Sequence, residues 1–139
     1  MTIDSAIIVI AIAGLLVSSY FTAVAYRWIS PDERWIPRFC RLRDRTCAAI
    51  VFTPRARVFG LPNSVLGQVY YAALIVGTPL NLLDHGGSHT LFLAASVLTV
   101  LLAIYLTYSL LFITRVPCTL CFASHAANVA IFFLLLAHR

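Results

Sequence analysis

Four uncharged apolar runs leave this chain few ways to fold. They cover residues 6–26, 64–83, 91–114 and 118–137, and none holds an Asp, Glu, Lys or Arg. Each is about 20 residues long, enough for a helix to cross the roughly 30 Å of a bilayer's hydrocarbon. A chain in hydrocarbon must satisfy its own backbone polar groups, so helices are the expected form. Charged residues make up only 11% of the sequence, against roughly 25% in an average soluble domain. The pattern predicts a single domain over residues 1–139: an all-α, multi-pass membrane protein built as a four-transmembrane-helix bundle. The first run is too long for the apolar core of a secretory signal, and no basic residue precedes it. It reads as a retained span.

Residues 27–63 form the one sizeable loop. It carries Trp28 and Trp35, which suit a membrane interface, and Pro31, Pro37, Pro54 and Pro62, which break regular structure. Residues 46–52 are apolar but too short to cross, and predict a half-helix lying over the bundle. The run Pro62-Asn63-Ser64 then reads as a helix start, with Asn63 or Ser64 as the cap. All ten basic residues are arginine, and eight fall between Arg27 and Arg57. Such a loop suits anionic headgroups; with no folded basic surface outside the membrane, nucleic acid is not an expected partner. Residues 84–89 and 114–117 are short turns, which makes the second, third and fourth spans antiparallel neighbours.

The four cysteines fall in two pairs. Cys40 and Cys47 lie in the loop, and Cys118 and Cys121 form a C-x-x-C at the head of the last run. Side chains three apart on a helix lie about 5–6 Å apart, so this pair can open and close with little backbone motion. Pro117 places Cys118 in the first turn, where free backbone N–H groups and the helix dipole favour a thiolate, with Arg115 close by. On the same helix Cys121, His125 and Asn128 fall with Cys118 within a sector of roughly 80°, which faces the bundle interior because polar groups avoid lipid. On the second span Asn63, Gly67, Tyr70 and Tyr71 form another face with hydrogen-bonding groups. A packing role is the plainer reading for His125 and for both tyrosines. The four cysteines together could also bind zinc, but six residues separate the loop pair, and structural zinc sites favour closer spacing. Two thiol pairs, one in water and one at a membrane boundary, point to an electron relay from a soluble partner to something dissolved in lipid.

The run from Thr46 through Phe59-Gly60-Leu61-Pro62-Asn63-Ser64-Val65-Leu66-Gly67-Gln68-Val69-Tyr70-Tyr71, with Cys118-Thr119-Leu120-Cys121 and Asn128, resembles the vitamin K epoxide reductase (VKOR) family. The other quinone-linked membrane family, of DsbB type, places its C-x-x-C in the first loop. The resemblance implies a four-helix bundle around a quinone, capped by the loop half-helix. It implies that Cys40 and Cys47 exchange with a thioredoxin-like (DsbA-like) protein, that Cys47 attacks Cys118, and that Cys121 faces the quinone. Asn63 matches a residue that hydrogen-bonds a quinone carbonyl, and Thr53 a Ser/Thr position after the second loop cysteine; Tyr70 and His125 join them as candidate quinone contacts. His125 stands where vertebrate epoxide reductases carry tyrosine, and Pro62-Asn63 is similar to the microbial branch. This favours a disulfide-forming enzyme using plain quinone (menaquinone, ubiquinone or a vitamin K type). The alternatives are vitamin K quinone or epoxide reduction proper and a four-cysteine metal-binding membrane protein. With no thioredoxin-like domain following the fourth span, the redox partner is expected to be a separate protein.

Orientation divides two arguments. Disulfide chemistry wants the loop in an oxidising compartment, whereas eight arginines would hold it in the cytoplasm by the positive-inside rule. Outward loops of the resembled family are often arginine-rich, so the outside face is expected.

Overall fold

The computed structural model describes residues 2–29, 50–116 and 118–138. Cys40, Cys47, Trp35 and Pro117 lie outside the described residues. Four helices dominate: α1 (Ile3–Ala25), α2 (Asn63–Gly77), α3 (Gly86–Tyr108) and α4 (Thr119–Ala137). A 3-10 turn (Pro54–Ala56) and a two-stranded ribbon, β1 (Arg57–Val58) against β2 (Leu61–Pro62), lead into α2. A π-helical turn (Ser109–Ile113) extends α3.

Helix α1 begins earlier than its apolar run because Thr2 caps it. The Thr2 hydroxyl accepts from the Ser5 backbone N–H at 3.3 Å, and Asp4 sits in the first turn, where the helix dipole favours a negative charge. Among the described residues three helices are long and apolar enough to cross a membrane: α1, α3 with its π-helical extension, and α4. The expected second span is the exception. Helix α2 has 15 residues, about 22 Å at 1.5 Å per residue, and stops at Gly77 rather than running to Leu83. Pro79 explains the stop, since it supplies no N–H to continue the helical ladder, although Thr78 before it keeps helical dihedrals. Thr78 instead bonds its hydroxyl back to the Leu74 carbonyl at 2.7 Å. Asn81 then takes a left-handed φ of 56°, turning the chain toward α3.

Two further expectations are corrected here. Pro62, not Asn63 or Ser64, occupies the N-cap of α2, and no side chain caps that end. Gly86 and Gly87 do not form a turn but open α3, with His85 at its N-cap.

The core lies where α1, α2 and α4 meet. Ile7 and Ala11 of α1, Tyr71 and Leu74 of α2, and Ile131 and Leu135 of α4 are buried together. Between membrane helices there is little hydrophobic drive, so close backbone approach and hydrogen bonds choose the neighbours. Both occur along α1 and α2. A Cβ at Gly14 would overlap the Tyr71 ring, and one at Gly67 would come within 2.9 Å of the Ser18 hydroxyl. Thr22 donates to Ser64 at 2.9 Å and Gln68 to Ser19 at 3.1 Å. Helix α4 packs against both α1 and α3, while the backbones of α2 and α3 stay further apart. The third and fourth spans are neighbours as expected; α2 lies closest to α1 and meets α3 through side chains, Phe92 against Gly77 and Tyr70 toward Ser96.

Candidate functional site

Cys118 is fully buried and sits at the N-cap of α4, where its sulfur accepts the Cys121 backbone N–H at 3.3 Å. A cysteine in this place does what a Ser or Asp cap does, taking one of the orphan N–H groups of the first turn. Cys118 is disulfide-bonded, while Cys121 is free and half-buried. The C-x-x-C is thus not closed on itself, and the partner of Cys118 lies outside the described residues.

The end of the loop covers this cysteine. Ile50 and Val51 are helical, the described part of the expected half-helix. Val51 is buried against Phe21, Val24 and Cys118, with Ile50, Leu120 and Cys121 packed around them. Thr53 ends that helical stretch: its hydroxyl donates to the Ile50 carbonyl at 2.7 Å, alongside its own backbone N–H at 3.0 Å. The Arg27 guanidinium lies 5.7 Å from the centre of the Phe52 ring, joining the end of α1 to the same segment. Arg115, by contrast, is exposed, with a φ of 51°, and makes no ion pair among the described residues. The dipole of α4 is therefore the positive influence on Cys118 that the structure supports.

The polar stripe of α4 divides between two neighbours. Asn128 turns to α2, where its Oδ1 accepts the Tyr71 hydroxyl at 2.6 Å; the Ser124 hydroxyl lies 3.4 Å from that Tyr71 hydroxyl. Tyr71 therefore ties together all three core helices, its ring on Gly14 of α1 and its hydroxyl on α4. His125 lies on the side of α4 toward α3, and its Nε2 is buried with no hydrogen-bond partner among the described residues. Tyr70 also turns toward α3. Its hydroxyl lies near those of Ser96 and Thr99 without hydrogen-bonding to either.

The structure thus brings Cys118 and Cys121 together under Val51, with Thr53 ending the helical stretch that carries it. Asn63 is half-buried at the start of α2 and makes no side-chain hydrogen bond among the described residues; its neighbour Ser64 accepts from Thr22 of α1. The bridging role of Tyr71 is one that the sequence reading misses. Its signal was Gly14 and Gly67, which mark where helices approach closely enough for one ring to bridge them.

Long apolar helices with a C-x-x-C at the head of the last one are the features the family comparison bears on. The chain belongs to the vitamin K epoxide reductase family, whose model matches residues 5–136, nearly its whole length. Membership makes it a quinone-related membrane oxidoreductase. No curated protein matches it.

Proposed function

We propose that this protein oxidises a thioredoxin-like partner and passes the electrons to a membrane quinone, as a disulfide-forming member of its family. The observation that carries the reading is the divided state of the C-x-x-C: Cys118 is in a disulfide while Cys121, three residues on, is a free thiol. A structural pair would be closed on itself. A relay needs an intermediate in which one cysteine is held by an outside thiol and the other is released.

The reaction balances as two electrons and two protons. The partner's dithiol reduces a Cys40–Cys47 disulfide and leaves as a disulfide. The Cys47 thiolate attacks the Cys118 sulfur, breaking a Cys118–Cys121 bond and releasing Cys121 as a thiolate. Cys40 then attacks Cys47, restoring the loop disulfide and leaving Cys118 and Cys121 both reduced. These two close to a disulfide as the quinone takes up two electrons and two protons to become hydroquinone. The first helical turn of α4 favours the anionic sulfur at Cys118. Asn63, Tyr70 and His125 are the candidate contacts for the quinone oxygens, and support for His125 comes from its unpartnered Nε2. Thr53 holds the loop end beside Cys118 and serves the site indirectly. In this reading α2 and the turn through Leu83 complete a four-span bundle, and the cysteine loop faces the oxidising side.

The test is quinone reduction by purified protein supplied with a reduced thioredoxin-like protein. Wild type should reduce quinone and trap the partner as a mixed disulfide, and Cys121→Ala should fall to background while still trapping it. Wild-type turnover by Cys121→Ala would sink the assignment. Thiol labelling from each side of sealed vesicles should reach the loop cysteines from the oxidising side alone.

A further inference from the structure

Helix α1 ends in a glycine motif that has no glycine. The Arg27 N–H donates to the Val24 carbonyl at 3.0 Å and the Trp28 N–H to the Ala23 carbonyl at 2.8 Å, the paired bonds of a Schellman cap. That cap needs one residue in the left-handed region, and glycine is the usual choice because it has no Cβ to clash. Arginine holds the place here, with a φ of 59°. Backbone strain persists where the surrounding structure gains something from it, which directs attention to what the side chain does.

The Arg27 side chain reaches the segment that covers Cys118. Its guanidinium lies 5.7 Å from the centre of the Phe52 ring, within cation–π range. Phe52 directly follows Val51, and Val51 is buried with Phe21, Val24 and Cys118. The Phe52 ring is itself 46% exposed, so it adds little to that cluster and offers its face to the arginine. Thiol–disulfide exchange needs access to the sulfur under attack. Cys118 is fully buried, and Val51 is part of its cover.

We infer that Arg27 is a positioning residue for the thiol chemistry: its contact with Phe52 latches the loop end onto Cys118 and sets how often that sulfur is uncovered. The inference rests on Cys118 being the exchanging sulfur of the reading above. One exposed cation–π contact changes an open-to-closed ratio about two- to fivefold. Such a latch keeps the sulfur covered between exchanges and still releases it.

Full-length protein in lipid nanodiscs, reduced with a phosphine and freed of it, should be alkylated with a maleimide and the rate at Cys118 followed by peptide mass spectrometry. Neither quinone nor a partner protein takes part, so failure of the latch and failure of the relay are separable. Arg27→Gln and Phe52→Leu should each raise the rate about two- to fivefold, and the two together no further than either alone. Losing a positive charge without losing a latch acts in the opposite direction, because it disfavours the thiolate. Arg55→Gln, at an exposed arginine of the same segment, should therefore not raise the rate. Phe52→Trp keeps the π face and should hold the rate at or below wild type. Arg27→Gly separates the latch from a merely structural role. It relieves the left-handed backbone, so the unfolding midpoint should stay level or rise while the Cys118 rate still increases. Unchanged rates in Arg27→Gly and Phe52→Leu would overturn the inference. So would rises that add, which would give Arg27 a partner other than Phe52, or an equal rise in Arg55→Gln. Should Phe52→Leu fail to fold, Arg27→Gly and Phe52→Trp decide alone.

Discussion

The two sides of α4 are built on different terms. Toward α1 and α2 it is held by the Tyr71–Asn128 bond at 2.6 Å, by a ring laid on Gly14, and by the buried Ile131 and Leu135. Toward α3 there are fewer fixed contacts. The His89 imidazole bonds the Leu135 carbonyl at 3.1 Å near one end of the helices, and further along lie alanines, an open groove and an unpartnered imidazole nitrogen. In lipid, small residues and interhelical hydrogen bonds do the work that apolar burial does in water. The first side uses both and closes. The second uses small residues without filling the space they leave. One helix thus carries a filled contact on one side and open space on the other.

The contrast can be broken most sharply by adding bulk to each side. Gly14→Leu should overlap the Tyr71 ring and cost about 3 kcal/mol, the upper range for overpacked sites, seen as a lower unfolding midpoint in detergent. Ala130→Leu, on the groove side, should cost less than about 1 kcal/mol because the added carbons enter open space. Equal losses would show that the groove side is as rigid as the core. Next in size is Tyr71→Phe, which keeps the ring but removes the hydroxyl. It should cost about 0.6–1.7 kcal/mol, the range for interhelical hydrogen bonds in membranes, and leave quinone turnover near wild type. A complete loss of turnover with stability intact would instead make Tyr71 part of the redox site. The smallest effect should come from Asp4→Asn at the far end of the bundle. There the His138 imidazole donates to the half-exposed Asp4 carboxylate at 2.7 Å and stacks on His89, with ring centres 6.2 Å apart. Surface pairs of this kind contribute about 0–1 kcal/mol, so the midpoint should move little, and less still in high salt.

Much of the architecture was readable before any coordinates. Helices α1, α3 and α4 follow from uncharged runs of spanning length, because hydrocarbon leaves no other way to satisfy the backbone. The C-x-x-C at the head of α4 was readable too, since its spacing and place in the run are local facts. Hydropathy alone carries α2 past its end through Thr78-Pro79, although the proline is itself a legible stop. The order of the helices was not legible. Short turns suggest that α2 and α3 are neighbours, and Phe92 does meet Gly77, but Gly14 and Gly67 bring α1 closer still, and only the meeting of two distant segments reveals it. The polar stripe on α4 was correctly placed on one helix, yet its members serve different neighbours. Asn128 is a structural partner of Tyr71, while His125 lines the groove.

The sequence alone determined that this chain is helical, that its apolar runs suit a bilayer, and that its thiols come as a loop pair and a helix-cap pair. These follow from composition and short-range spacing, which act through the solvent and the local backbone. The tertiary structure decided which cysteine of the C-x-x-C is in a disulfide and which is left free, which tyrosine ties the core together, and which side of α4 stays open. Those outcomes depend on how residues far apart in sequence fit against one another, as Gly14 does against Tyr71 and Val51 against Cys118. Close packing is decided between segments and cannot be read from one segment at a time.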